Sequence, residues 1–264
     1  MPRRLYKGDP LTPDERAAYE GDLISFCDRE LDFLGDIEGL AVLYAGGSSV
    51  LWLEGLSQRI GRNGTLTALE ADDGRVEEGR ELLRRADLAA PVRLLARDVF
   101  RPPFPPDTFD LAYSAGLFHE LDVLAEPAGS ALGALASVVR PGGRVATSDF
   151  VDSAPAVQLE DEESQRELAR EISGAQFYGV DSPDRLVAHH EALLTKVRWW
   201  VSPPHPVRYL DRIVFTEDEP EELRSLPVGT RRRLRERREA LRERIRREGY
   251  TRLATLYVEG CVPG

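Results

Sequence analysis

The stretch that decides the fold is Val42-Leu43-Tyr44-Ala45-Gly46-Gly47-Ser48-Ser49, read together with Glu70 further along the chain. An apolar run stops at two glycines, two hydroxyl residues follow, and a second apolar run ends at a carboxylate. This order predicts a strand, a tight turn, a helix and a second strand with an acid at its tip. In nucleotide-binding α/β domains such a turn lets a ligand approach the backbone, and the acid binds ribose hydroxyls. The stretch therefore predicts a site for a nucleotide-type ligand.

Strand and helix patterns alternate from residue 40 onward. Apolar runs of strand length lie at residues 40–44, 65–69, 92–96, 109–113 and 144–148. Patterns with helical spacing lie between them, at residues 50–60, 74–86 and 128–139. Repeated units of this length predict an α/β fold of the Rossmann-like type, with a doubly wound, mostly parallel sheet and helices on both faces.

The segments outside this core extend the same domain. Thr12-Pro13-Asp14-Glu15 predicts the start of an N-terminal helix, because a hydroxyl cap precedes proline and two acids. Residues 151–216 are too long for a connection and too apolar for a linker, so we expect a helical insertion or lid there. The prediction is one domain over 1–264, with a helical cap (1–36), a cofactor-binding core (40–150), the insertion (151–216), and a terminal helix and strand (217–264).

The charge balance argues against nucleic acid as a partner. The 264 residues carry a formal net charge of −11, whereas proteins that bind DNA or RNA usually present a basic field. Residues 231–247 are rich in arginine, with Leu234, Leu241 and Ile245 at helical spacing. We interpret this segment as an exposed helix with ion pairs, and a phosphate- or RNA-binding face is the less favoured alternative.

We expect no membrane span, no disulfide and no metal site. The sequence has no run of about 18 apolar residues. Residues 1–9 lack the apolar stretch of a signal peptide, so a cytoplasmic location is expected. Cys27 and Cys261 lie near opposite ends of the chain, and a cytosolic domain of this size needs no crosslink. Neither the cysteines nor the histidines show the spacing of metal ligands.

From about residue 40 to residue 149 the sequence resembles the class I S-adenosylmethionine-dependent methyltransferases. The glycine turn resembles the first motif of that family, and Glu70 stands where its ribose-binding acid stands. Arg97-Asp98-Val99 resembles the tip of the third strand, which faces adenine, and Val139-Arg140-Pro141-Gly142-Gly143-Arg144 resembles the turn before strand five. One position departs from the pattern, because Tyr44 stands where the family usually has an acid.

The resemblance implies S-adenosylmethionine as the cofactor. The residues that it places at the cofactor are Tyr19, Tyr44, Gly46, Gly47, Ser48, Glu70, Asp98, Val99, Ser114 and Ala115. Independent physical reasons support several of them. The glycines admit close approach of the ligand, the helix start after them attracts a carboxylate, and a carboxylate such as Glu70 accepts two hydrogen bonds from a diol.

His119, just past strand four, is the candidate catalytic residue. In many enzymes of the resembling family this position faces the cofactor, and an imidazole with a pKa near neutrality can deprotonate a phenol or hydroxyl. A histidine that packs over the adenosine or caps the next helix is an equally weighted alternative. Other candidates near the site are Asp149, His189-His190 and Trp199-Trp200.

The expected activity is therefore methyl transfer from S-adenosylmethionine to a small-molecule acceptor. One alternative is a regulatory or degenerate protein that binds S-adenosylmethionine or S-adenosylhomocysteine without transfer. A less favoured one is a nicotinamide-dependent oxidoreductase, since the sequence lacks a full GxGxxG motif and a Tyr-x-x-x-Lys pair. The expected partner is the acceptor, without nucleic acid or membrane, and a homodimer is compatible with the sequence.

Overall fold

Within residues 11–153, 156–214 and 221–264, which this computed structural model describes, the chain forms seven strands and eight α-helices. The strands are β1 (Ala41–Ala45), β2 (Thr65–Glu70), β3 (Val92–Ala96), β4 (Phe109–Ala115), β5 (Val139–Val151), β6 (Thr195–Ser202) and β7 (Ala254–Cys261). The helices are α1 (Pro13–Asp32), α2 (Val50–Ile60), α3 (Asp73–Leu83), α4 (Ala128–Ser137), α5 (Ala156–Ser173), α6 (Pro183–Leu193), α7 (Leu210–Val214) and α8 (Val228–Glu248).

All seven strands join one sheet in the order β3-β2-β1-β4-β5-β7-β6. Strands β1 to β5 are parallel, whereas β7 runs antiparallel to both β5 and β6. The chain winds outward from β1 to β3 and then returns to β4 on the other side of β1. Because this reversal separates the connections that follow β1 and β4, a crevice opens at the carboxyl ends of these strands. The predicted Rossmann-like, mostly parallel α/β fold is confirmed.

Alternating side chains along β1 build a core on each face of the sheet. Leu43 and Ala45 pack with α4 and α6, and Val42 and Tyr44 pack with α1, α2 and α3. A strand that is buried on both faces is continuously apolar, which explains why residues 40–44 read as an unbroken apolar run.

Helix α1 begins at the predicted residue. The Thr12 hydroxyl accepts a hydrogen bond from the Glu15 backbone N–H, and the Thr12 backbone N–H donates to the Glu15 carboxylate at 2.9 Å. This reciprocal capping box fixes the first turn. The last turns of α1 place Phe26 and Glu30 over the crevice. The first ten residues of the expected cap lie outside the described residues.

Strand β5 begins earlier than predicted. Val139 pairs with Phe109 of β4, and Arg144 pairs with Leu111, so six positions of β5 oppose three of β4. The segment Pro141-Gly142-Gly143 is therefore an irregularity within the strand rather than a turn before it. Gly142 has a φ of +75°, in the region that favours glycine. Its N–H donates to the Val262 carbonyl, which ties the bulge to the sheet.

Part of the expected insertion belongs to the sheet. Strand β6 lies within residues 151–216 and forms the outer strand beside β7, so this part of the range is not a separate lid. Its sequence, Val197-Arg198-Trp199-Trp200-Val201, alternates in burial less clearly than a core strand does, because Trp199 and Trp200 stay 46% and 41% exposed. The division of the remaining chain into cap, core and insertion stays a prediction.

Helix α8 is the arginine-rich segment, and it packs on α5. Arg233 and Arg237 both pair with Glu167 of α5. Beneath these ion pairs, Leu241 packs against Val157 of α5. Arginines that pair across the two helices support the interpretation of a surface helix held by ion pairs.

Two further expectations concern crosslinks and membranes. The thiols of Cys27 and Cys261 are both free, and burial raises the pKa of Cys27 to about 12. Among the helices of the described residues, none is long and apolar enough to cross a bilayer.

Candidate active site

A cavity of about 200 Å³ opens where the sheet order reverses. The ends of β1 and β4 supply Tyr44, Gly46 and Ala115, and the end of β5 supplies Asp149. Helix α1 and the segment before β7 close it from the other side. The cavity therefore occupies the crevice in which open α/β sheets bind their ligands.

The glycine turn forms one wall of this cavity. Gly47 has a φ of +88°, and a Cβ added to it would lie only 3.0 Å from the Glu70 Oε2 atom. Ser49 precedes the first turn of α2 and makes no side-chain capping bond, so the early N–H groups of this helix are left to other partners. Glycine thus allows the turn to lie directly against the acid at the tip of β2.

Tyr44 fills the space beneath the turn. Its side chain is 1% exposed, and its hydroxyl donates to the Gly46 carbonyl at 3.2 Å. A Cβ on Gly46 would lie 2.3 Å from that hydroxyl oxygen. Burial raises the pKa of Tyr44 well above its ordinary value, so the phenol stays neutral. Tyr44 therefore places a neutral hydroxyl and an aromatic ring where an acid is usual.

Glu70 and Asp98 occupy different surroundings. Glu70 is 9% exposed, and its Oε1 atom accepts from the Asp72 N–H at 3.1 Å, while Oε2 faces the glycine turn. Asp98 is exposed beyond β3 and accepts from the Phe100 N–H at 3.0 Å. Val99, next to it, is buried in the core. The structure brings Glu70 to the turn, and it places Asp98 in a surface loop at the same edge of the sheet.

Two of the residues expected at the cofactor point elsewhere. Ser114 is fully buried, and its hydroxyl donates to Thr147 of β5 at 3.2 Å. Tyr19 is buried among Leu11, Val207 and Leu210. Neither side chain lines the cavity, whereas Ala115 does. The assignment of Ser114 and Tyr19 to the cofactor stays a prediction from the sequence; in this structure both side chains pack against other residues.

His119 lines the cavity and is held by a buried carboxylate. Its Nδ1 atom lies 2.8 Å from Asp149 Oδ1, and Asp149 also accepts the backbone N–H groups of Phe118 and Phe150. Burial disfavours the charged imidazolium, but the Asp149 carboxylate outweighs this effect and raises the pKa of His119 to about 9. The result is an oriented imidazole at the cavity, with its Nε2 atom 3.6 Å from Glu120 Oε1.

The structure adds two charged residues that the sequence did not reveal. Glu30 of α1 is 2% exposed and accepts from the Tyr257 hydroxyl at 2.6 Å, and burial raises the pKa of its carboxyl group. Arg252, just before β7, lies over Phe26 and Phe150, with its guanidinium carbon 4.3 and 5.0 Å from the ring centroids. Burial lowers the pKa of Arg252 from its ordinary value. In the sequence, Glu30 stands out only as a carboxylate among the apolar positions of α1. No feature of the sequence marks Arg252 as a residue of the site.

The adjacent histidines lie outside the cavity. His190 is fully buried between the Leu186 carbonyl, at 2.8 Å, and the Thr147 hydroxyl, at 3.0 Å. Burial lowers its pKa to about 4. His189 lies against Gly129 of α4. Across the part of the chain that the structure describes, no three His, Cys, Asp or Glu side chains are grouped to hold a metal ion.

The fold and this site define an α/β protein with a cofactor site at the switch point of a doubly wound sheet. Residues 42–143 match the family described as "Methyltransferase domain". This match and the similar proteins below agree with the resemblance of this part of the chain to the class I S-adenosylmethionine-dependent methyltransferases.

Curated relatives match over about half of the chain. The ubiquinone/menaquinone biosynthesis C-methyltransferase UbiE of Idiomarina loihiensis is 32% identical over 137 residues, which are 49% of this chain and 52% of that protein. The protein of the same name from Cronobacter sakazakii is 31% identical over the same shares. The chain thus spans about half the length of these relatives, as the alignments show.

Solved structures match over nearly the whole chain and show the fold. A cyclopropane-fatty-acyl-phospholipid synthase-like protein from Lactobacillus casei has a TM-score of 0.66 at 14% identity, covering 95% of this chain and 94% of its own. A geranyl diphosphate methyltransferase in complex with SAM has a TM-score of 0.58 at 15% identity, covering 97% and 93%. The [4+2]-cyclase SpnF reaches 0.58 at 16% identity, covering 98% and 87%.

Proposed function

We propose that the chain transfers a methyl group from S-adenosylmethionine to a small-molecule acceptor. One observation carries this proposal: the glycine turn and the His119–Asp149 pair line the same cavity. The turn supplies backbone groups for a cofactor, and the pair supplies a base for an acceptor. A cavity that holds both kinds of group suits a reaction between two bound molecules.

The residues present fit the cofactor. Gly46 and Ser49 of the turn line the cavity, and the lack of a Cβ on Gly47 lets the Glu70 carboxylate lie directly against the turn. Glu70 would hold the ribose, the turn and the start of α2 would hold the methionine portion, and the loop at Asp98 and Val99 would hold the adenine. When bound, S-adenosylmethionine supplies an electrophilic methyl group on a sulfonium.

His119 acts as the base toward an acceptor hydroxyl. Asp149 holds the Nδ1 position at 2.8 Å, so the proton of the acceptor goes to Nε2. Because the pKa of His119 is about 9, most of the imidazole is protonated at neutral pH, and its capacity as a base rises with pH. Asp149 stabilises the imidazolium that forms, and the aromatic wall of Phe26 and Phe150 limits access of water.

A second function is a protein that binds the cofactor without transferring its methyl group. Tyr44 favours it, because a neutral phenol replaces the expected acid beside the turn. The likeness to a cyclase also indicates that this fold is not tied to one reaction. The structure offers no specific observation in favour of the nicotinamide-dependent alternative. A cytoplasmic location, a homodimer and the absence of a nucleic-acid partner stay predictions from the sequence.

Thermal unfolding with added ligands tests the proposal. S-adenosylhomocysteine and S-adenosylmethionine should raise the melting temperature, whereas NAD and NADP should leave it unchanged. The absence of a shift with both sulfur compounds would contradict cofactor binding and both leading functions. Isotope-labelled methyl transfer to a panel of phenols, lost in His119→Ala but with the S-adenosylhomocysteine shift retained, separates transfer from binding alone.

A further inference from the structure

We propose that Arg252 binds an anionic oxygen group, a carboxylate or phosphate, of the acceptor, so that the substrate is a small acid rather than a neutral molecule. This inference rests on the proposed methyltransferase function and names the class of its substrate. It assigns to Arg252 a role in specificity, apart from the cofactor and from the proton transfer at His119.

The first observation is that Arg252 lines the cavity and makes no ion pair within the described residues. Its Nε atom is buried and has no hydrogen-bond partner, and within the described residues no carboxylate forms an ion pair with its guanidinium. Two other arginines at this end of the molecule are paired: Arg208 with Asp22 at 2.8 Å, and Arg212 with Glu15 at 2.8 Å. A buried donor is normally satisfied, so an unpaired one that lines a cavity indicates a missing ligand.

The nearest buried acid is already engaged. Glu30 is close enough to influence the pKa of Arg252, but its Oε1 atom already accepts the Tyr257 hydroxyl at 2.6 Å. The guanidinium fork is thus left to bind another acid. Carboxylates and phosphates match the planar geometry of this fork and form two parallel hydrogen bonds with it.

The second observation is where Arg252 lies in the cavity. The Phe150 ring touches both the guanidinium, at 5.0 Å, and the His119 ring, at 4.9 Å. Arg252 therefore lies next to the base, near the ends of β5 and β7, and Gly46 and Gly47 lie at the end of β1. An anion at Arg252 would belong to the molecule whose proton His119 takes, and that molecule is the acceptor.

The position of Arg252 is fixed before any ligand arrives. Its backbone N–H and the Thr251 hydroxyl both donate to the His205 carbonyl. The rings of Phe26 and Phe150 hold the guanidinium by cation–π contacts, which leave the edge of the fork free for hydrogen bonds. The same rings offer flat apolar surfaces, so an aromatic acid suits the cavity.

Paired probes test the proposal on the full chain loaded with S-adenosylhomocysteine. Calorimetric titrations compare 4-hydroxybenzoate and 4-hydroxyphenyl phosphate with the neutral 4-hydroxybenzamide. We expect at least one of the two anions to bind about 10-fold more tightly than the amide, since a hydrogen-bonded charge is gained. If 4-hydroxybenzoate shows the larger gain in affinity over the amide, the site binds a carboxylate; if 4-hydroxyphenyl phosphate does, it binds a phosphate.

Variants assign that preference to one residue. Arg252→Gln should remove it, and Arg252→Lys should restore part of it. Arg29→Gln is the matched control, because Arg29 also lies over Phe26, at 5.7 Å, and has buried unbonded nitrogens, but it does not line the cavity. We expect Arg29→Gln to keep the preference of the wild-type protein.

Three outcomes would overturn the inference. The wild-type protein binds neither anion more tightly than the amide, Arg252→Gln keeps the preference, or Arg252→Gln loses S-adenosylhomocysteine while still melting cooperatively. The last result would place Arg252 in the cofactor site. In the first two, an intact thermal shift with S-adenosylhomocysteine leaves the proposed function standing, so the two failures are distinguishable.

Discussion

Replacing Asp149 by asparagine should lower the pKa of His119. In the wild-type protein the Asp149 carboxylate, 1% exposed in its side chain, lies 2.8 Å from His119 Nδ1 and raises the pKa from 6.5 to about 9. This rise corresponds to about 3 kcal/mol of preference for the imidazolium. In Asp149→Asn this attraction is gone, whereas burial still lowers the pKa of His119 and the charges of Glu120 and Glu162 still raise it, so the pKa should fall toward 6.5.

The same change has a signed effect on stability. Because the folded pKa of about 9 lies above the unfolded value near 6.5, His119 stabilises the fold fully below pH 6.5, and this contribution is lost as pH rises through 9. Asp149→Asn should therefore lower the free energy of unfolding by about 3 kcal/mol at pH 6. An added cost arises at all pH values, because one amide oxygen cannot accept from both backbone N–H groups. The pH-dependent part of the difference should vanish near pH 10.

Two measurements check this prediction. Carbon-13 NMR of labelled imidazoles gives the titration midpoints, and four histidines make the spectrum simple to assign by substitution. Urea unfolding at several pH values gives the free energies. Asp110→Asn is the control, because Asp110 also binds a backbone N–H and a cation, namely Ala41 and Arg140, at the opposite end of β4. A wild-type His119 midpoint near 6.5, or one unchanged in Asp149→Asn, would refute the reasoning.

Three further predictions follow from particular contacts. Glu70→Ala should weaken S-adenosylhomocysteine binding by about 10- to 100-fold in calorimetry, since hydrogen bonds to a charged acceptor are lost, and unchanged affinity would exclude the ribose contact. Gly46→Ala should lower the melting temperature, because the added Cβ would lie 2.3 Å from the Tyr44 hydroxyl oxygen. The double variant Gly46→Ala/Tyr44→Val should recover part of the lost melting temperature. No recovery would contradict a steric clash between this Cβ and Tyr44. Burial lowers the pKa of His190 to about 4, so the stability that the neutral ring contributes is present above pH 6.5 and is lost as pH falls toward 4. In urea unfolding, the free energy of unfolding of His190→Gln should therefore fall less between pH 6.5 and pH 4 than that of the wild type. An equal fall in both proteins would exclude His190 as the cause of this pH dependence.

Local signals in the sequence were enough for the core of the fold. Strand β3 and helix α2 have the predicted bounds. In both, the apolar pattern and the glycine or acid that follows it lie close together in the sequence, so the ends of the element can be predicted locally. The sequence could not reveal β6, since an outer strand with two half-exposed tryptophans lacks a clear apolar alternation. The extra residues of the β5 bulge depend on pairing with β4 and with Val262, and this pairing is settled only in the assembled sheet.

The residues of the site also fall into those that local sequence predicts and those that only the assembled fold brings together. Glu70 and the glycine turn were predictable because one short unit of chain brings them together. His119 was a candidate by position, whereas its pairing with Asp149 depends on the register of β4 against β5. The burial of Ser114 depends on which side of the sheet each residue of β4 faces, and this is settled only when β4 pairs with β5. Glu30 and Arg252 meet only through packing of α1 on β7, which no local pattern encodes.

This division bears on how acceptor specificity is built. The part of the chain that matches the methyltransferase domain, residues 42–143, contains the glycine turn, Glu70 and His119. The partner of His119, Asp149, lies beyond that match, as do the aromatic wall and the unpaired guanidinium of Arg252. The shared segment thus carries the groups proposed for the cofactor, and the flanking elements carry the groups proposed to orient the base and to select the acceptor. On that proposal, changes in α1 and before β7 should alter substrate choice more than affinity for the cofactor, because the two sets of residues come from different elements.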